Sequence, residues 1–248
     1  MIFSSPYLSE LFSKKTSILF EPACNDLEEK QLSGIIEPMK SIFISFEGPE
    51  GAGKSTILSM ILPALSKSRE IISTREPGGV PIAEAIREII LSKENKSLDA
   101  KSELLLFAAA RRQHLLEKVR PALEAGKVVL VDRFIDSSVA YQGYAGGLPV
   151  ESVKWINDFA TDSLKPDLTL YFDIEPEIGL ARVMNSDERE KNRLDLATLD
   201  YHKKVVAGYR QLCEEEAQRF VKINADQSPE KVVAETLSTI QSRFPGEF

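Results

Sequence analysis

One stretch of sequence decides the fold: Ser41-Ile-Phe-Ile-Ser-Phe-Glu47, followed by Gly48-Pro-Glu-Gly-Ala-Gly-Lys54-Ser55-Thr56. Its first half is an apolar run bounded by a glycine, which is typical of a buried parallel strand. Its second half has the pattern glycine, four residues, Gly-Lys-Ser, and it leads into the helical stretch Thr56 to Leu65. A strand, this pattern and a helix in that order predict a phosphate-binding loop.

The residue types of this loop suit a nucleotide. Gly48, Gly51 and Gly53 let the backbone bend so that successive N–H groups point inward and form a nest for phosphate oxygens. The N-terminus of the following helix adds partial positive charge. Lys54 brings a full charge to the β- and γ-phosphates, and the Ser55 hydroxyl is placed to bind Mg²⁺. We predict that the whole loop binds the nucleotide, namely Gly48, Pro49, Glu50, Gly51, Ala52, Gly53, Lys54, Ser55 and Thr56.

The amino-acid composition argues against several classes of protein. The chain has 248 residues, of which 43% are hydrophobic and 28% charged, as in ordinary globular proteins. Its net charge of -7 argues against a general nucleic-acid surface, which would need a basic face. Cys24 and Cys213 are the only cysteines, so neither a disulfide framework nor a zinc site is predicted. Because no apolar run is long enough to span a bilayer, we expect no membrane partner and a cytoplasmic location.

The first part of the chain differs from the rest. Residues 1–38 mix serine, lysine, proline and acidic residues without a sustained period. We expect these residues to form a peripheral or poorly ordered extension. Met39 lies two residues before the first predicted strand, so translation starting at Met39 is the alternative. Residues 39–248 are then predicted to form a single domain built around the phosphate-binding loop.

Strand and helix patterns alternate through this domain. Buried strands are predicted at 41–47, 70–76, 128–132, 168–173 and 220–223, and helices at 56–65, 82–91, 99–125, 149–159, 176–184, 195–218 and 229–240. Such alternation favours an α/β fold, here a P-loop NTPase-like three-layer sandwich with a five-stranded parallel sheet covered by helices on both faces. Ligands of such sheets bind at the carboxyl ends of the strands, where Arg75, Asp132, Arg133 and Asp173 stand.

Asp132 is the candidate metal ligand. It follows four apolar residues, the pattern of a carboxylate that supports Mg²⁺ opposite a phosphate loop, and a strand-end cap is the alternative. Asp173 has the same local pattern, so the pattern alone does not separate the two. The next residue does, because Arg133 beside the metal site could hold a second phosphate group in bidentate geometry. A phosphoryl acceptor is therefore favoured over water.

A second substrate surface is predicted on the long helix. Phe107 and Arg111 are four residues apart and share a helix face, with alanines between them that leave room for a flat ring. Stacking on the phenyl ring and hydrogen bonds from the guanidinium suit a nucleobase. The alternative is that Phe107 belongs to the core and Arg111 is a solvated surface residue. The spacing leaves both interpretations open.

Several motifs together resemble thymidylate kinases. They are Gly48-Pro-Glu-Gly-Ala-Gly-Lys-Ser55, Thr74-Arg-Glu-Pro-Gly-Gly79, Phe107-Ala-Ala-Ala-Arg111, Asp132-Arg-Phe134, Ala140-Tyr-Gln142 and the strand Lys165-Pro-Asp-Leu-Thr-Leu-Tyr-Phe-Asp173. The resemblance runs from about Met39 to the C-terminus. It implies ATP-dependent phosphorylation of dTMP to dTDP with Mg²⁺, by a homodimer formed through helices packed side by side.

The resemblance also implies roles on the base side of the acceptor. Phe107 would stack on thymine, and Arg111 would hydrogen-bond a base carbonyl. Ser138 and Gln142 would reach the edge of the base.

On the phosphate and sugar side, Arg133 would hold the dTMP phosphate, with Arg75 near the same phosphates. Glu50 would lie near the 3′-hydroxyl, and Tyr141 would pack beside C2′ and disfavour ribose.

The charged stretch at about 184–194 corresponds to the family's lid, although composition alone would also describe it as a solvated charge run. Some thymidylate kinases place an arginine in the phosphate loop, and others supply it from the lid. No arginine stands between Gly48 and Lys54, so the resemblance implies that a lid arginine stabilises the transferring phosphoryl group. The candidates are Arg182, Arg189 and Arg193. Arg193 is favoured, since Asn-Arg-Leu-Asp resembles the Asp-Arg-Ile-Glu of the family. Lys54, Arg133, Arg189 and Arg193 are therefore the predicted catalytic residues.

Two rival functions are considered. A kinase for another nucleoside monophosphate would keep the loop and the Asp-Arg pair but change Phe107, Arg111 and Gln142. A GTP-binding switch would need Asp-x-x-Gly and Asn-Lys-x-Asp motifs, whereas Asp132 is followed by Arg-Phe-Ile and Asn95-Lys96 by Ser-Leu. His114 and His202 lie on long predicted helices, and we expect structural roles for both.

Overall fold

The computed structural model describes residues 40–185 and 191–248, so the predicted extension at 1–38 lies outside the described residues. Within them the chain folds around a five-stranded, fully parallel sheet with strand order β2-β3-β1-β4-β5. The strands are β1 Ile42–Glu47, β2 Ile71–Arg75, β3 Val128–Asp132, β4 Leu168–Asp173 and β5 Phe220–Asn224. The predicted sheet is confirmed.

Alternating residues of the buried strands fill two cores. Ile42, Ile44 and Phe46 of β1 pack on one face of the sheet, while Phe43 between them packs on the other. This is the period of two that a strand imposes on its side chains. Because both faces are covered by helices, every position of the central strand is buried and its sequence is a continuous apolar run.

The helices that cover these faces agree with the predicted α/β alternation. In chain order they are α1 Lys54–Leu65, α2 Pro81–Leu91, α3 Ala100–His114, a π-helical turn Leu115–Val119, α4 Arg120–Glu124, α5 Ile135–Ser138, a π-helical segment Val139–Ala145, α6 Val150–Thr161, α7 Pro176–Met184, α8 Leu199–Glu215 and α9 Pro229–Arg243. None of the helices in the described part of the chain is long and apolar enough to cross a membrane.

The helix predicted from residue 195 begins later. Asn192 and Asp195 form a turn in which the amide of Asn192 donates to the Asp195 carboxylate and the amide of Leu194 donates to the Asn192 side chain, both at 2.8 Å. Such local side-chain bonds compete with helical ones. The Thr198 hydroxyl then caps α8 by accepting from the amide of Tyr201. The predicted start of this helix was therefore wrong.

A helical segment over residues 135–145 was not predicted. It follows β3 directly and consists of α5 and the π-helical segment. Its adjacent serines and its glycine weaken any sequence pattern for a helix. It carries Ser138, Tyr141 and Gln142, so the segment that the sequence describes least positions three of the predicted site residues.

The strand register brings the predicted site residues together. Asp132 pairs with Phe46 of β1 on one side and with Arg75 of β2 on the other. Because β1 runs directly into the phosphate loop, Asp132 and Arg75 lie beside that loop at the carboxyl edge of the sheet. This is the edge at which parallel α/β sheets bind ligands.

Replacing Gly51 should destabilise the fold more than backbone strain alone explains. Gly51 has φ +70°, and a Cβ there would lie 2.0 Å from the carbonyl oxygen of Gly179 in α7. Gly147 is a matched control, since it has φ +77° and open space around the same position. Urea denaturation should show a loss of about 1–2 kcal/mol for Gly147→Ala from left-handed strain and a clearly larger loss for Gly51→Ala. Equal losses would contradict the close approach of α7.

Candidate functional site

A cavity of about 810 Å³ opens at the carboxyl edge of the sheet. It is lined by most of the predicted site residues: Glu50, Lys54, Ser55, Arg75, Phe107, Arg111, Asp132, Arg133, Ser138, Tyr141 and Gln142. These side chains come from strands, helices and loops far apart in sequence. The structure therefore brings the predicted donor and acceptor residues into a single cavity.

The phosphate loop forms one end of this cavity. Gly48, Gly51 and Gly53 all have positive φ, and α1 begins at Lys54. The Lys54 ammonium is buried and donates to the carbonyl oxygens of Gly48 and Pro49, each at 3.0 Å. Burial, followed by repulsion from Arg133, lowers the pKa of Lys54 to about 8. A phosphate group beside this ammonium would favour its charged form.

The candidate metal ligands face each other across the loop. The Ser55 hydroxyl donates to Asp132 Oδ2 over 2.5 Å. A hydroxyl and a carboxylate are hard oxygen donors of the kind that Mg²⁺ uses, together with phosphate oxygens and water. Within the described residues, no group of three or more His, Cys, Asp or Glu residues could hold a metal ion. The donor pair fits a nucleotide-bound Mg²⁺ rather than a metal held by protein ligands alone.

Arg133 is the cation opposite Lys54. It has φ +71°, and its guanidinium Nη1 donates to the Gly48 carbonyl oxygen at 3.0 Å. Nη2 pairs with Glu50 at 3.0 Å, and the guanidinium carbon lies 4.9 Å from the ring centroid of Tyr141. The predicted acceptor arginine therefore contacts both the phosphate loop and the predicted sugar site.

Glu50 is buried inside this cluster of cations. Its carboxylate accepts from the Tyr141 hydroxyl at 2.6 Å and lies 3.5 Å from His202 Nδ1. Burial raises the pKa of Glu50, but Arg133 and then Lys54 bring that pKa well below its ordinary value. Glu50 therefore stays ionised and can accept a hydrogen bond from a hydroxyl group in the cavity.

The predicted substrate surface of α3 does not match the alternative in which Phe107 is a core residue and Arg111 a solvated one. Phe107 is half-buried and lines the cavity, so it is not a core residue. Arg111 is only 2% exposed, so it is not a solvated surface residue. Its guanidinium donates to Glu76 at 2.7 Å, Asn157 at 2.6 Å, Ser138 at 3.1 Å and the Phe134 carbonyl oxygen at 3.0 Å. These bonds fix the plane of the guanidinium at the cavity wall.

The π-helical segment supplies the remaining polar groups. Tyr141 and Gln142 both stand on it and are buried against α3 and α8. Gln142 donates to Glu103 at 2.8 Å, while the Ser138 hydroxyl accepts from Arg111. Widened turns of this kind often occur at functional sites, because they present neighbouring side chains on one face. Here that face is the cavity wall.

Arg75 lies at the open side of the cavity. It is exposed and forms an ion pair with Glu84 of α2 at 2.9 Å. Nearby, Arg87 donates to the Pro77 carbonyl oxygen, and burial, followed by repulsion from Arg75, lowers the pKa of Arg87. The predicted phosphate-side arginine is therefore present at the site, with an additional cation that the sequence interpretation did not include.

The favoured lid arginine points elsewhere. Arg193 donates to the Ile90 carbonyl oxygen at the end of α2 and pairs with Glu103. It is not among the cavity-lining residues, although its neighbours Asn192 and Leu194 are. Arg189 lies outside the described residues. Arg182 donates to the Gly51 carbonyl oxygen of the phosphate loop at 3.4 Å. It also donates to the Ala225 carbonyl oxygen, just after β5, at 3.1 Å. The structure does not group Arg193 with Lys54 and Arg133.

Comparison with known proteins gives the family. The thymidylate kinase family model matches residues 46–236. The crystal structure of thymidylate kinase from Ehrlichia chaffeensis matches with a TM-score of 0.67 and 30% sequence identity, covering 81% of this chain and 98% of that one. This chain belongs to the thymidylate kinase family.

Four buried acceptors of this thymidylate kinase family member were not singled out from its sequence. Glu76 and Asn157 accept from Arg111, Glu103 accepts from Gln142 and pairs with Arg193, and Glu47 accepts from the Phe134 amide. Glu47 ends β1 and Glu76 directly follows β2, the same strand-end position that drew attention to Asp132. That signal could have found both. Glu103 and Asn157 stand on helices, and nothing in the local sequence marks them.

The histidines differ in their surroundings. His114 bridges Glu76 and Thr74 at 3.0 and 2.8 Å and is fully buried. Both nitrogens of His202 are buried without a hydrogen-bond partner among the described residues, beside the Glu50 carboxylate. The structural role predicted for His114 agrees with these contacts. The role of His202 stays a prediction.

Removing the guanidinium of Arg111 should destabilise the protein strongly, whereas removing the guanidinium of the adjacent Arg112 should not. Arg111→Met would leave the buried Glu76 carboxylate without its main cation, which costs about 3–5 kcal/mol. Arg112→Met removes an exposed pair with Asp162 and should cost about 0–1 kcal/mol. Urea denaturation of the two variants measures the difference. Equal losses would contradict the buried network around Arg111.

Proposed function

We propose that this chain transfers the γ-phosphoryl group of ATP to dTMP and forms dTDP and ADP. The observation that carries the proposal is the placement of Arg133. Its guanidinium contacts the Gly48 carbonyl oxygen of the phosphate loop and the Tyr141 ring in one cavity. A donor phosphate on the loop and an acceptor phosphate on Arg133 would therefore be neighbours, as phosphoryl transfer between them requires.

The donor side rests on the phosphate loop. Its three glycines at positive φ and the N-terminus of α1 suit the β- and γ-phosphates of ATP. Lys54 would leave its loop carbonyls for a phosphate oxygen, because a phosphate is the stronger partner for an ammonium. Ser55 and Asp132 would hold Mg²⁺, which when bound neutralises charge between the β- and γ-phosphates.

The acceptor side rests on residues from α3 and from the segment after β3. Phe107 offers a ring for thymine at the cavity wall, and Arg111 and Gln142 lie at its polar edge. Tyr141 and Glu50 are hydrogen-bonded to each other beside Arg133, which suits a deoxyribose between base and phosphate. A kinase for another nucleoside monophosphate is the second candidate, and these base-side residues argue against it.

The chemistry needs charge neutralisation more than proton transfer. The acceptor oxygen belongs to a phosphate that is already anionic, so no strong general base is required. Lys54 and Arg133 would stabilise the negative charge that spreads over the transferring group. A contribution from a lid arginine stays a prediction. Arg193 could make it only by leaving Glu103 and the Ile90 carbonyl, whereas Arg182 already lies against the phosphate loop.

The proposed reaction is tested by ADP formation from ATP with a panel of monophosphates: dTMP, dUMP, CMP, UMP, AMP and GMP, each with and without Mg²⁺. We expect rapid turnover with dTMP that disappears when Mg²⁺ is chelated. Faster turnover with a ribonucleotide would favour the second candidate. Discrimination of dTMP from dUMP rests on the space for a single methyl group, so it should be only about tenfold to two-hundredfold.

Single substitutions test the donor end and the acceptor end of the cavity one at a time. Lys54→Ala and Arg133→Ala should each lower turnover at least about a hundredfold, because each removes a charge that stabilises the transition state. Lys67→Ala and Arg112→Ala are matched controls with side chains outside the cavity. They should retain near-normal rates. Near-normal rates in either site variant, with the fold verified by circular dichroism, would contradict the assignment.

We also propose that the chain forms a homodimer through α2, α3 and α6. These helices pack side by side and carry large exposed apolar residues: Ile82, Ile89, Leu105, Trp155 and Phe159. Trp155 and Phe159 are 66% and 77% exposed and stack on each other. Such a patch is typical of an interface between protein chains. A cytoplasmic location stays a prediction from the cysteine content.

The oligomeric state can be measured by light scattering after size-exclusion chromatography. The wild-type chain should elute as a dimer, and the double variant Trp155→Ala/Phe159→Ala should shift toward the monomer. Met60→Ala removes an exposed apolar residue of α1 and is the control. A monomeric wild type, or a double variant that stays fully dimeric, would contradict this interface.

A further inference from the structure

Glu47 occupies a position that the proposed reaction does not itself require. It ends β1 immediately before the phosphate loop, and it is fully buried. Its Oε1 accepts from the amide of Phe134 at 2.7 Å. Its Oε2 accepts from the hydroxyls of Ser137 at 2.6 Å and Tyr209 at 2.7 Å. The carboxylate thus contacts two parts of the surroundings of Arg133: the backbone that follows it and the hydroxyls beside its guanidinium.

The first part is the backbone turn that carries Arg133. A residue with a Cβ at φ +71° is strained, by about 1–2 kcal/mol, and stays there only if its surroundings hold it. The amide of Arg133 donates to the Phe46 carbonyl oxygen at 3.0 Å, and the next amide donates to Glu47. Consecutive residues of β1 therefore fix consecutive amides of the turn. This turn directs the Arg133 side chain toward the phosphate loop.

The second part is the pair of hydroxyls beside the guanidinium. Arg133 Nη1 lies 3.2 Å from the Ser137 hydroxyl oxygen and 3.3 Å from that of Tyr209. Each hydroxyl can donate to Glu47 Oε2, which leaves a lone pair on its oxygen for the guanidinium, and the two hydroxyls also lie 2.8 Å from each other, where either can be the donor. Burial, with the Glu47 carboxylate next, raises the pKa of Tyr209, so this hydroxyl keeps its proton. While Glu47 acts purely as an acceptor, it favours the arrangement in which the Ser137 and Tyr209 hydroxyls donate to it and their oxygens face Arg133.

We propose that Glu47 is a positioning residue for the acceptor phosphate. It holds the left-handed turn at Arg133 and orients the Ser137 and Tyr209 hydroxyls against the guanidinium, so that Arg133 is presented to the phosphate of dTMP. The inference rests on the proposed function, since it assigns Arg133 to the acceptor. It concerns how Arg133 is held and adds no contact between Glu47 and a substrate.

The charges around Glu47 predict that binding of dTMP depends on pH. Burial and the neighbouring Asp136 of α5 raise the pKa of Glu47 to about 7, against the lowering effects of Ser137, Arg133 and Tyr209. Lys54 of α1 also faces it. Above this pKa the carboxylate is ionised and accepts from both hydroxyls. Below it, a proton on Oε2 points at a hydroxyl oxygen and competes with Arg133. Binding of dTMP should therefore weaken as the pH falls through about 7.

The substitution Glu47→Gln tests this directly. The amide group places donors either against the two hydroxyl protons or against the Phe134 amide, so neither orientation restores the acceptor set. At pH 8 the KM for dTMP should rise about tenfold, while the KM for ATP changes less than about twofold. The pH dependence of the dTMP KM near 7 should also disappear. Titration of the dTMP phosphate itself, with a pKa of about 6, remains in both proteins and serves as an internal reference.

A second pair of variants tests the inference even if Glu47→Gln folds poorly. Tyr209→Phe removes a hydroxyl but keeps the ring stacked on Tyr171, and it should raise the KM for dTMP by about threefold. Tyr171→Phe is the matched control, because its buried hydroxyl donates to Asp173 and has no contact with Arg133. It should leave both KM values within about twofold. A merely structural role of these hydroxyls would affect the two variants alike.

A double-mutant cycle completes the test. In an Arg133→Ala background, Glu47→Gln should change the calorimetric Kd for dTMP by less than about twofold, because its effect passes through Arg133. An unchanged dTMP KM in Glu47→Gln and Tyr209→Phe, or an equal rise in the KM for ATP, would overturn the inference. A wild-type protein that does not phosphorylate dTMP would instead refute the proposed function, so the two failures are distinguishable.

Discussion

The structure depends on holding two cations close together at the inner end of the cavity. Lys54 and Arg133 both bind the Gly48 carbonyl oxygen, and repulsion from Arg133 contributes to the lowered pKa of Lys54. Buried like charges are costly unless anions balance them. Glu50 pairs with Arg133, while the metal candidate Asp132 stabilises the charged form of Lys54. A pair of phosphate groups would supply the further negative charge that this arrangement suits.

The fold could be predicted from the sequence because its three central strands, β1, β3 and β4, are buried on both faces. Their continuous apolar runs, separated by helical patterns, leave a parallel sheet as the simplest arrangement, and the observed strands agree within a residue or two. The rule that ligands bind at the carboxyl ends of strands located Arg75, Asp132 and Arg133. It would have added Glu47 and Glu76 if every strand-end carboxylate had been considered.

The remaining features depend on contacts that sequence spacing does not encode. Whether Arg111 is buried depends on Glu76 and Asn157, which are 35 and 46 residues away in the chain. Arg193 matched a family pattern, yet its direction is decided by Glu103 and the Ile90 carbonyl. The start of α8 was displaced by side-chain bonds within the Asn192–Asp195 turn. In each case a tertiary or local polar contact outweighed the pattern.

The polar side chains at the proposed base site are held rigidly by hydrogen bonds to other groups of the protein. Arg111 donates to Glu76, Ser138 and Asn157, and Gln142 donates to Glu103, so both polar groups at the base edge are already oriented by protein partners. A ligand that fits them loses little side-chain entropy on binding, which increases its affinity. A ligand that lacks matching groups would have to break buried bonds, which costs more than a missing contact at a solvated site. In the proposed function, base selectivity would therefore depend on the network behind the cavity wall as much as on the side chains that line it.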